Sequence, residues 1–523
     1  MDFLSLLLML VVDTSASWIR MFAALFISVF ISIFVGIYAA TNARAEKIVL
    51  PVVDVLQTIP ILAFFPFAIF VFVFLLPGYI GINAAVIFLI VTSMLWNIIF
   101  GVYESVKTLP KEFIELADMY HFDFWSRLRR IYVPASMPRI VQQSILSWAI
   151  GLFYLVTSEI FSTGNANYHV AYGIGSVLPS LAGTSYIMAI GVFIAFVVAT
   201  RFLFFKPLEN YSTRYMRGQS ADASAILPRY EKRVLDWIGH TIPRNREMFD
   251  SVGFAVTRSS GKGTTKKPAI HKNTVDMSLY YRIMAVLIAA AIIYMIASNR
   301  ILLGYELEVI PALAASFARV WIAFVVILAV AVPVGIYLIF MTKKASSYIL
   351  IFQVLASIPA TILLPLIADT FVHGSTHGGE YVAFVIFFLS GIWYVIFGIM
   401  ASTRTLPENI FEVRRIFGVK GLNAWKNVYL KAILPGLITG AITGIAAEWN
   451  ASIVAEYFTT TGVSGSQVIS SVGTGIGRLL DTAISSGGLV LMAVALLNLV
   501  VMIILINTFV WKKYYRGIAK MYG

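Results

Sequence analysis

There is no cysteine in this chain of 523 residues, so neither a disulfide nor a thiolate metal site belongs to its fold or chemistry. Charge is scarce as well. Asp, Glu, Lys and Arg make up 12% of the residues, against about 25% in soluble domains. Apolar residues take their place: 59% of the chain is hydrophobic and mean hydropathy is +0.85. Uncharged runs of roughly 20 residues recur, the length that crosses a hydrocarbon core about 30 Å thick. An all-α polytopic membrane protein is the one class that fits. The net charge of +13 then marks the cytoplasmic side of a bilayer rather than a nucleic-acid partner. The opening MDFLSLLLMLVVD lacks a basic n-region and a small-residue cleavage site, and is not read as a removable signal.

Spans are expected near 17–40, 47–76, 83–104, 136–162 and 185–205, then near 280–297, 312–341, 346–369, 381–402, 436–460 and 487–511. That is five plus six, about 11. Residues 1–12 are too short to cross unaided and are expected on the lipid surface or packed against the bundle. The long second span of each half contains prolines and is expected to be bent or partly re-entrant. Basic residues gather in one set of loops: Arg44 and Lys47; Arg127, Arg129 and Arg130; the 206–279 gap; Lys343 and Lys344; Arg414 and Arg415; and the tail with Lys512, Lys513 and Arg516. The opposite loops around 76–82, 164–186, 372–381 and 462–488 hold only Arg478. Loop charge therefore predicts that the first set is cytoplasmic and the N-terminus external.

The two halves repeat. Trp96, Ile99, Phe100, Gly101, Thr108, Leu109 and Pro110 recur as Trp393, Ile396, Phe397, Gly398, Thr405, Leu406 and Pro407, all at one offset. Upstream, VLQTIPILAFFP (55–66) matches VLASIPATILLP (354–365), and Arg20 and VGIY (35–38) match Arg319 and VGIY (334–337). Both copies of each loop fall on the same side, so the repeats are parallel, related by an axis along the membrane normal. The division is a first permease-like domain at 1–205, a basic linker at 206–279 and a second domain at 280–523.

One polar interruption stands out within each half. EFIELADMYHFDFWSRLRRIYVPASMP (112–138) is matched by ENIFEVRRIFGVKGLNAWKNVYLKAILP (408–435). Charged and apolar positions alternate with helical spacing around a break at Gly418. Two short helices joined by a sharp turn are expected, followed by a proline-started span. Phe124 and Trp125, and Leu422 and Trp425, supply apolar anchors for another protein's cleft, with charges to set the register. A merely solvated amphipathic loop is the rival reading, and it does not account for two copies with the same glutamate-to-proline spacing.

That spacing (Glu-x-Ala, three residues, Gly, nine residues, Ile-x-Leu-Pro) resembles the EAA loop of binding-protein-dependent ATP-binding cassette importer permeases. The first copy keeps Glu115, Ala117, Ile131, Val133, Pro134 and Pro138, with His121 at the glycine position. The second keeps Glu412, Gly418, Leu430 and Pro435, but has Arg414 at the alanine and Lys431 at the first proline. The Leu-Gln-x-Ile-Pro-x5-Pro element and AEWNASIVAEYF (447–458) look like the nitrate/sulfonate/taurine/bicarbonate group, in a form with duplicated permease domains. The resemblance implies the type I importer transmembrane architecture and loops that dock in a cleft of the ATPase. It further implies two ATP-binding cassette ATPase subunits, an extracytoplasmic substrate-binding protein, and residence in a prokaryotic plasma membrane. ATP and Mg would act through the partner ATPase. No segment carries Gly-x4-Gly-Lys-Ser/Thr, GKGTTKKP (261–268) included, so no nucleotide site or directly bound cofactor is expected in this chain.

Ionisable residues inside spans are costly and point to function or to buried pairing. Glu159 and Glu456 occupy matching places near the outer ends of matching spans. Helix packing is favoured for them, because carboxylates lining an anion path would repel its cargo. Glu448 and Asn450 have no counterpart in the first half, which offers Gly151 and Phe153. With Asp54, Gln57, Pro60, Gln353 and Pro359 they are candidates for the translocation path, since broken helices can aim backbone groups at an ion. Pro66 and Pro365 mark the same segments, and kinks for packing alone are the alternative. His373, His377 and Glu380 have metal-like spacing but too few strong ligands for a metal site. The linker, with its amphipathic RYEKRVLDWIGH (229–240), is read as a tether, with ATPase clasping or anionic-lipid contact as alternatives. The expected function is ATP-driven import of a small solute, an inorganic or organic anion, by alternating access. A fused iron or thiamine permease is the rival within the class, and an ATPase-independent secondary transporter the rival outside it.

Overall fold

The computed structural model describes residues 3–58, 61, 65–76, 78–163, 170–215, 300–340, 342, 345–372, 377–401, 421–461, 467–486 and 488–506. The expected span at 280–297, most of the linker, Pro60, Glu412, Gly418 and His373 lie outside them. The described residues up to Tyr215 and from Ile301 onward form one compact unit.

Each half is built on three long helices. In the first half these are α1 (Phe3–Thr41), α4 (Tyr79–Lys107) and α7 (Val133–Thr163). Shorter α2 (Ala43–Thr58) and α3 (Phe65–Leu75) lie between α1 and α4, and α5 (Lys111–Met119) and α6 (Phe124–Arg127) between α4 and α7. After α7 come α8 (Ile174–Val177), α9 (Gly183–Thr200) and α10 (Lys206–Ser212). The second half answers with α11 (Arg300–Phe340), α12 (Ala345–Ala356), α13 (Leu364–Val372), α14 (Gly378–Ala401), α15 (Gly421–Ala424), α16 (Leu430–Glu456), α17 (Ile476–Ser485) and α18 (Leu489–Ile506). Among the described residues, seven helices are long and apolar enough to span a membrane, and two shorter apolar helices accompany them. The protein is an all-α polytopic membrane protein, with one addition: α16 runs into a two-stranded antiparallel hairpin, β1 (Tyr457–Thr461) and β2 (Gln467–Ser471), in the register Tyr457↔Ser471.

Two expectations are revised, and one is given its detail. Residues 3–12 are not a separate surface helix but the first turns of α1, with Leu10 fully buried. The proline-containing second span of the second half is interrupted, in keeping with the expected bend. α12 stops at Ala356, and Pro359 caps a short 3-10 turn, Ala360–Leu363, before α13 begins. Proline has no N–H to donate and disfavours helix in the residue before it, so the chain breaks there. Pro138 and Pro435, in contrast, start nothing. The helix beneath Pro138 already runs from Phe124, and Pro435 lies inside the helix Leu430–Glu456. A π-helical turn at Leu128–Tyr132, where the Val133 N–H bonds the Leu128 carbonyl, precedes α7 and shifts its hydrogen-bond ladder. The same turn recurs ahead of α16 at Trp425–Tyr429.

Close approach between α14 and α16 depends on glycine. A Cβ on Gly398 would lie 2.5 Å from the Gly436 carbonyl oxygen, and one on Gly440 would lie 2.6 Å from the Tyr394 carbonyl oxygen. Small residues let membrane helices bring their backbones together where lipid offers no hydrophobic drive.

The strongest tie in each half is electrostatic. Arg20 Nη1 donates to Glu159 Oε1 at 2.7 Å, and Ser17 Oγ donates to both Glu159 oxygens at 2.8 and 2.9 Å. The Gly175 N–H reaches Glu159 Oε2 at 2.9 Å, and the Ile174 N–H reaches Ser17 Oγ at 3.0 Å. The second half repeats this with Arg319 Nη1 to Glu456 Oε1 at 3.2 Å, Ser316 Oγ to the same oxygen at 2.5 Å, the Gly477 N–H to Glu456 Oε2 at 2.7 Å and the Ile476 N–H to Ser316 Oγ at 2.8 Å. Both carboxylates are fully buried. A side chain at Gly173 or Gly475 would collide with them. The copies differ in the arginine's other partners, for Arg20 Nη2 donates to the Tyr172 carbonyl at 2.5 Å. Arg20 Nε bonds Asn83 at 2.6 Å, whereas Arg319 grips Glu380 with two bonds at 2.6 and 2.7 Å.

Removing one partner of a buried, hydrogen-bonded ion pair strands the other charge and costs about 3–5 kcal/mol. Arg20→Met is accordingly expected to lower the melting temperature of the purified protein sharply. An unchanged melting temperature would show that the clamp carries no stability.

Candidate coupling element and inter-half seam

The first polar stretch folds as its spacing predicts. α5 is followed by a turn, and Asp123 caps α6 by accepting from the Ser126 N–H at 3.3 Å. The Ser126 hydroxyl first, and that N–H after it, hold the Asp123 carboxyl below its ordinary value. Arg127 ties the turn together, donating to Asp118 at 2.6 Å and to the Phe122 carbonyl at 2.9 Å. Arg130 lies over the Phe122 ring at 5.3 Å. Ala117 is buried at the inner face of α5, where its small size fits. Glu115 and His121 are exposed.

His121 is the one non-glycine residue with positive φ, 51°, among the described residues. It sits at the position where the repeat has Gly418, and the turn asks for the left-handed region glycine enters freely. In the second copy Gly421 takes φ 58° at the start of α15. Trp425 is half-buried there; the side chain of Leu422 is outside the described residues.

Around α5 and α6 lies an apolar surface. Leu116, Met119, Tyr120, Phe124 and Trp125 are all exposed, Trp125 at 56%. Phe124 and Trp125 meet edge to face, with ring centroids 5.5 Å apart, and Trp125 also reaches Phe34 of α1. Exposed aromatic side chains of this kind are the residue type enriched among interface anchors.

The translocation candidates separate into two groups. Asn450 and Gln353 meet the other half. Asn450 Oδ1 accepts from the Ile61 N–H at 3.0 Å, satisfying a backbone donor at the first half's proline break. In return the Tyr186 hydroxyl donates to the Ile362 carbonyl at the second half's break. Each interrupted helix thus has a freed backbone group taken up across the seam, as a break in lipid requires. Gln353 Oε1 accepts from Arg201 Nη2 at 3.1 Å, and Pro359 is buried beside it in sequence. Gln57 is half-buried in α2; the side chain of Asp54 is outside the described residues. Arg201 gave no signal in the sequence, where it passes for a basic residue at a span's inner end.

Glu448 belongs elsewhere. It is fully buried within the second half, and neither carboxyl oxygen has a hydrogen-bond partner. Gly391 makes room for it: a Cβ there would lie 2.7 Å from Glu448 Oε1 and 2.8 Å from Ile327 Cδ1. The first half exchanges the sizes. Gly151 stands where Glu448 does, and Met94 stands where Gly391 does; a Cβ on Gly151 would collide with the Met94 Cε. One large and one small side chain share the same interhelical space in both halves, with opposite assignment.

Two outcomes follow. His121→Gly is expected to stabilise the turn by up to about 1 kcal/mol, the left-handed penalty less glycine's entropic cost; a fall in thermal stability would contradict the strain. Gly391→Met alone is expected to destabilise the protein, and Glu448→Gly added to it to restore most of the loss, because the pair recreates the Met94 and Gly151 packing. Additive losses in that double-mutant cycle would refute the exchange.

Two segments, residues 32–205 and 331–511, each match the family described as "binding-protein-dependent transport system inner membrane component". Together they cover more than half of the chain. Among characterised relatives, the chain is similar to the nitrate import permease protein NrtB of Leptolyngbya laminosa, 25% identical over 175 residues, which is 34% of this chain and 57% of that protein. It is also similar to the nitrate import permease protein NrtB of Synechocystis sp., 25% identical over 142 residues, 27% of this chain and 50% of that protein. The chain spans about half the length of these relatives. With the family's domain present twice, at matching places in the two repeats, the chain belongs to the binding-protein-dependent transport system inner membrane components.

Proposed function

We propose that this protein is the duplicated permease subunit of an ATP-driven importer for a small anion. The observation that carries the reading is the element formed by α5 and α6: a capped, exposed, aromatic-bearing helical turn continuous with a membrane helix, in a chain of the transport family. Pushed from outside the membrane, α6 moves α7 with it, because one unbroken helix runs from Phe124 to Ile160. Two separate ATPases would grip the two copies of the element, through Glu115, Phe124 and Trp125 on one side and Glu412, Leu422 and Trp425 on the other. ATP and Mg act in those partners. Their closure would press the loops together and turn the space between the halves outward, and hydrolysis would reset it. Loop charge favours the coupling elements, linker and C-terminus on the cytoplasmic face of a prokaryotic plasma membrane. An extracytoplasmic binding protein would deliver the cargo to the opposite face.

The anion assignment draws on the printed activity of the two relatives. The fold adds one supporting feature: the deeply buried acids Glu159 and Glu456 are neutralised by arginines at one end of the bundle, so their charge is not presented to a path.

The test is purification of the tagged chain from its native membrane. Its ATPase should copurify, and Phe124→Ala with Trp125→Ala should reduce the recovered ATPase and ATP-driven nitrate uptake in proteoliposomes by tenfold or more, in the manner of interface hot spots worth roughly 2 kcal/mol or more. Uptake by the chain alone, driven by an ion gradient and unaffected by these substitutions, would overturn the proposal.

A further inference from the structure

At the end of α9 the helix passes into a π-helical turn, Arg201–Phe205, and Arg201 is drawn into the seam between the halves. Its side chain is 14% exposed. Nη2 donates to Gln353 Oε1 at 3.1 Å and to Glu209 Oε2 at a long 3.4 Å. Nη1 is buried and has no hydrogen-bond partner. Guanidinium is charged at every physiological pH and carries five donors, so a buried, unused edge is a costly feature unless something with lone pairs comes to it.

The surroundings say what that would be. Arg201 and Gln353 line a crevice of about 70 Å³ together with Ile145, Ala149, Ser357 and Phe397. It has room for a few waters or one small ion. Gln353 has committed its carbonyl oxygen to Arg201, so what its amide can still offer is N–H donors. Ser357 Oγ is turned to the Gln353 backbone carbonyl at 2.7 Å and stiffens the wall. The remaining walls are apolar. One guanidinium edge with one amide, between hydrocarbon faces, suits a planar oxyanion of single charge. It penalises a dianion, whose second charge would be buried unpaired. Glu209 does not fill this role, because its carboxylate is 42% exposed and reaches only Nη2.

The arrangement occurs once. The repeat places Asp54 where the second half has Gln353, and α18 carries no basic residue to stand for Arg201. A carboxylate at that position repels what the Arg201 crevice attracts.

We propose that Arg201 and Gln353 form the seat of a monovalent planar oxyanion between the two halves, occupied on the inward leg of transport. This rests on the anion-import reading, which supplies the direction; the seat itself rests on the geometry. Because the chain has no cysteine, Ser357→Cys places a single thiol on the crevice wall. In the full chain, purified with its ATPase and reconstituted, the rate of thiol modification is followed with and without nitrate. Nitrate is expected to slow modification severalfold and saturably, while sulfate at equal ionic strength does not. Arg201→Lys, which keeps the charge but loses the fork, and Gln353→Leu, which keeps Arg201, should each weaken the protection by roughly tenfold in nitrate concentration, the worth of a charge-assisted hydrogen bond.

Equal effects of nitrate and sulfate, or protection that survives both substitutions, would overturn the seat. ATP-driven nitrate uptake by the complex without cysteine separates the two claims. Uptake without protection removes the seat and leaves anion import standing. Saturable protection without ATP-driven uptake keeps the seat and removes the import reading.

Discussion

Inside hydrocarbon a lone charge is intolerable, and the burial of Arg20 against Glu159 and of Arg319 against Glu456 is the constraint from which the bundle's geometry follows. Each pair ties the first long helix of a half to its third, and the carboxylate's second oxygen reaches the backbone where the next helix, α8 or α17, begins. Two helices and the start of the next are pinned at one end of the bundle. The other end of the third helix is left to carry the coupling element. A continuous helix from Phe124 to Ile160 spans roughly 55 Å at about 1.5 Å per residue. It therefore links the exposed Trp125 to the region of the clamp without an intervening hinge, and the π-helical turn beside α6 adjusts its register rather than breaking it.

The halves agree where they must hold together and differ where polar groups lie near the seam or unpaired in the interior. Ser17, Arg20 and Glu159 have direct equivalents in Ser316, Arg319 and Glu456. Departures gather elsewhere: Asn83 against Glu380, Met94 and Gly151 against Gly391 and Glu448, Asp54 against Gln353. A duplicated chain frees each copy from serving both sides of a symmetric dimer. Polar groups that would conflict if doubled, such as a guanidinium in the seam, can then appear once. The proline breaks show the complementary economy, since each interrupted helix hands a backbone group to a side chain of the other half, Asn450 for Ile61 and Tyr186 for Ile362.

Much of this was legible before any coordinates. Hydropathy located the long spans, because a helix in lipid must be apolar over its whole crossing. The constant offset between repeats located the paired polar stretches and matched Glu159 with Glu456. Boundaries were less legible. Proline is ambiguous in sequence: at 359 it ends a helix, while at 138 and 435 it lies within one, and the difference rests on how the preceding hydrogen-bond ladder is already shifted. His121 looked like a departure from a glycine pattern, and only its φ of 51° shows that the turn holds this non-glycine residue in the left-handed region that glycine enters freely.

Composition, period and offset are properties of the chain itself, and they determined the class, the duplication and the place of the repeated polar loops. Which charges pair, which backbone groups are handed across the seam and which donors are left without partners depend on residues more than a hundred positions apart. Arg20 finds Glu159, Asn450 finds Ile61 and Arg201 finds Gln353 only when packed helices bring them within 3 Å or so of each other. Local sequence carries no record of such distances, because they are set by helix packing, and helix packing in lipid is decided by shape.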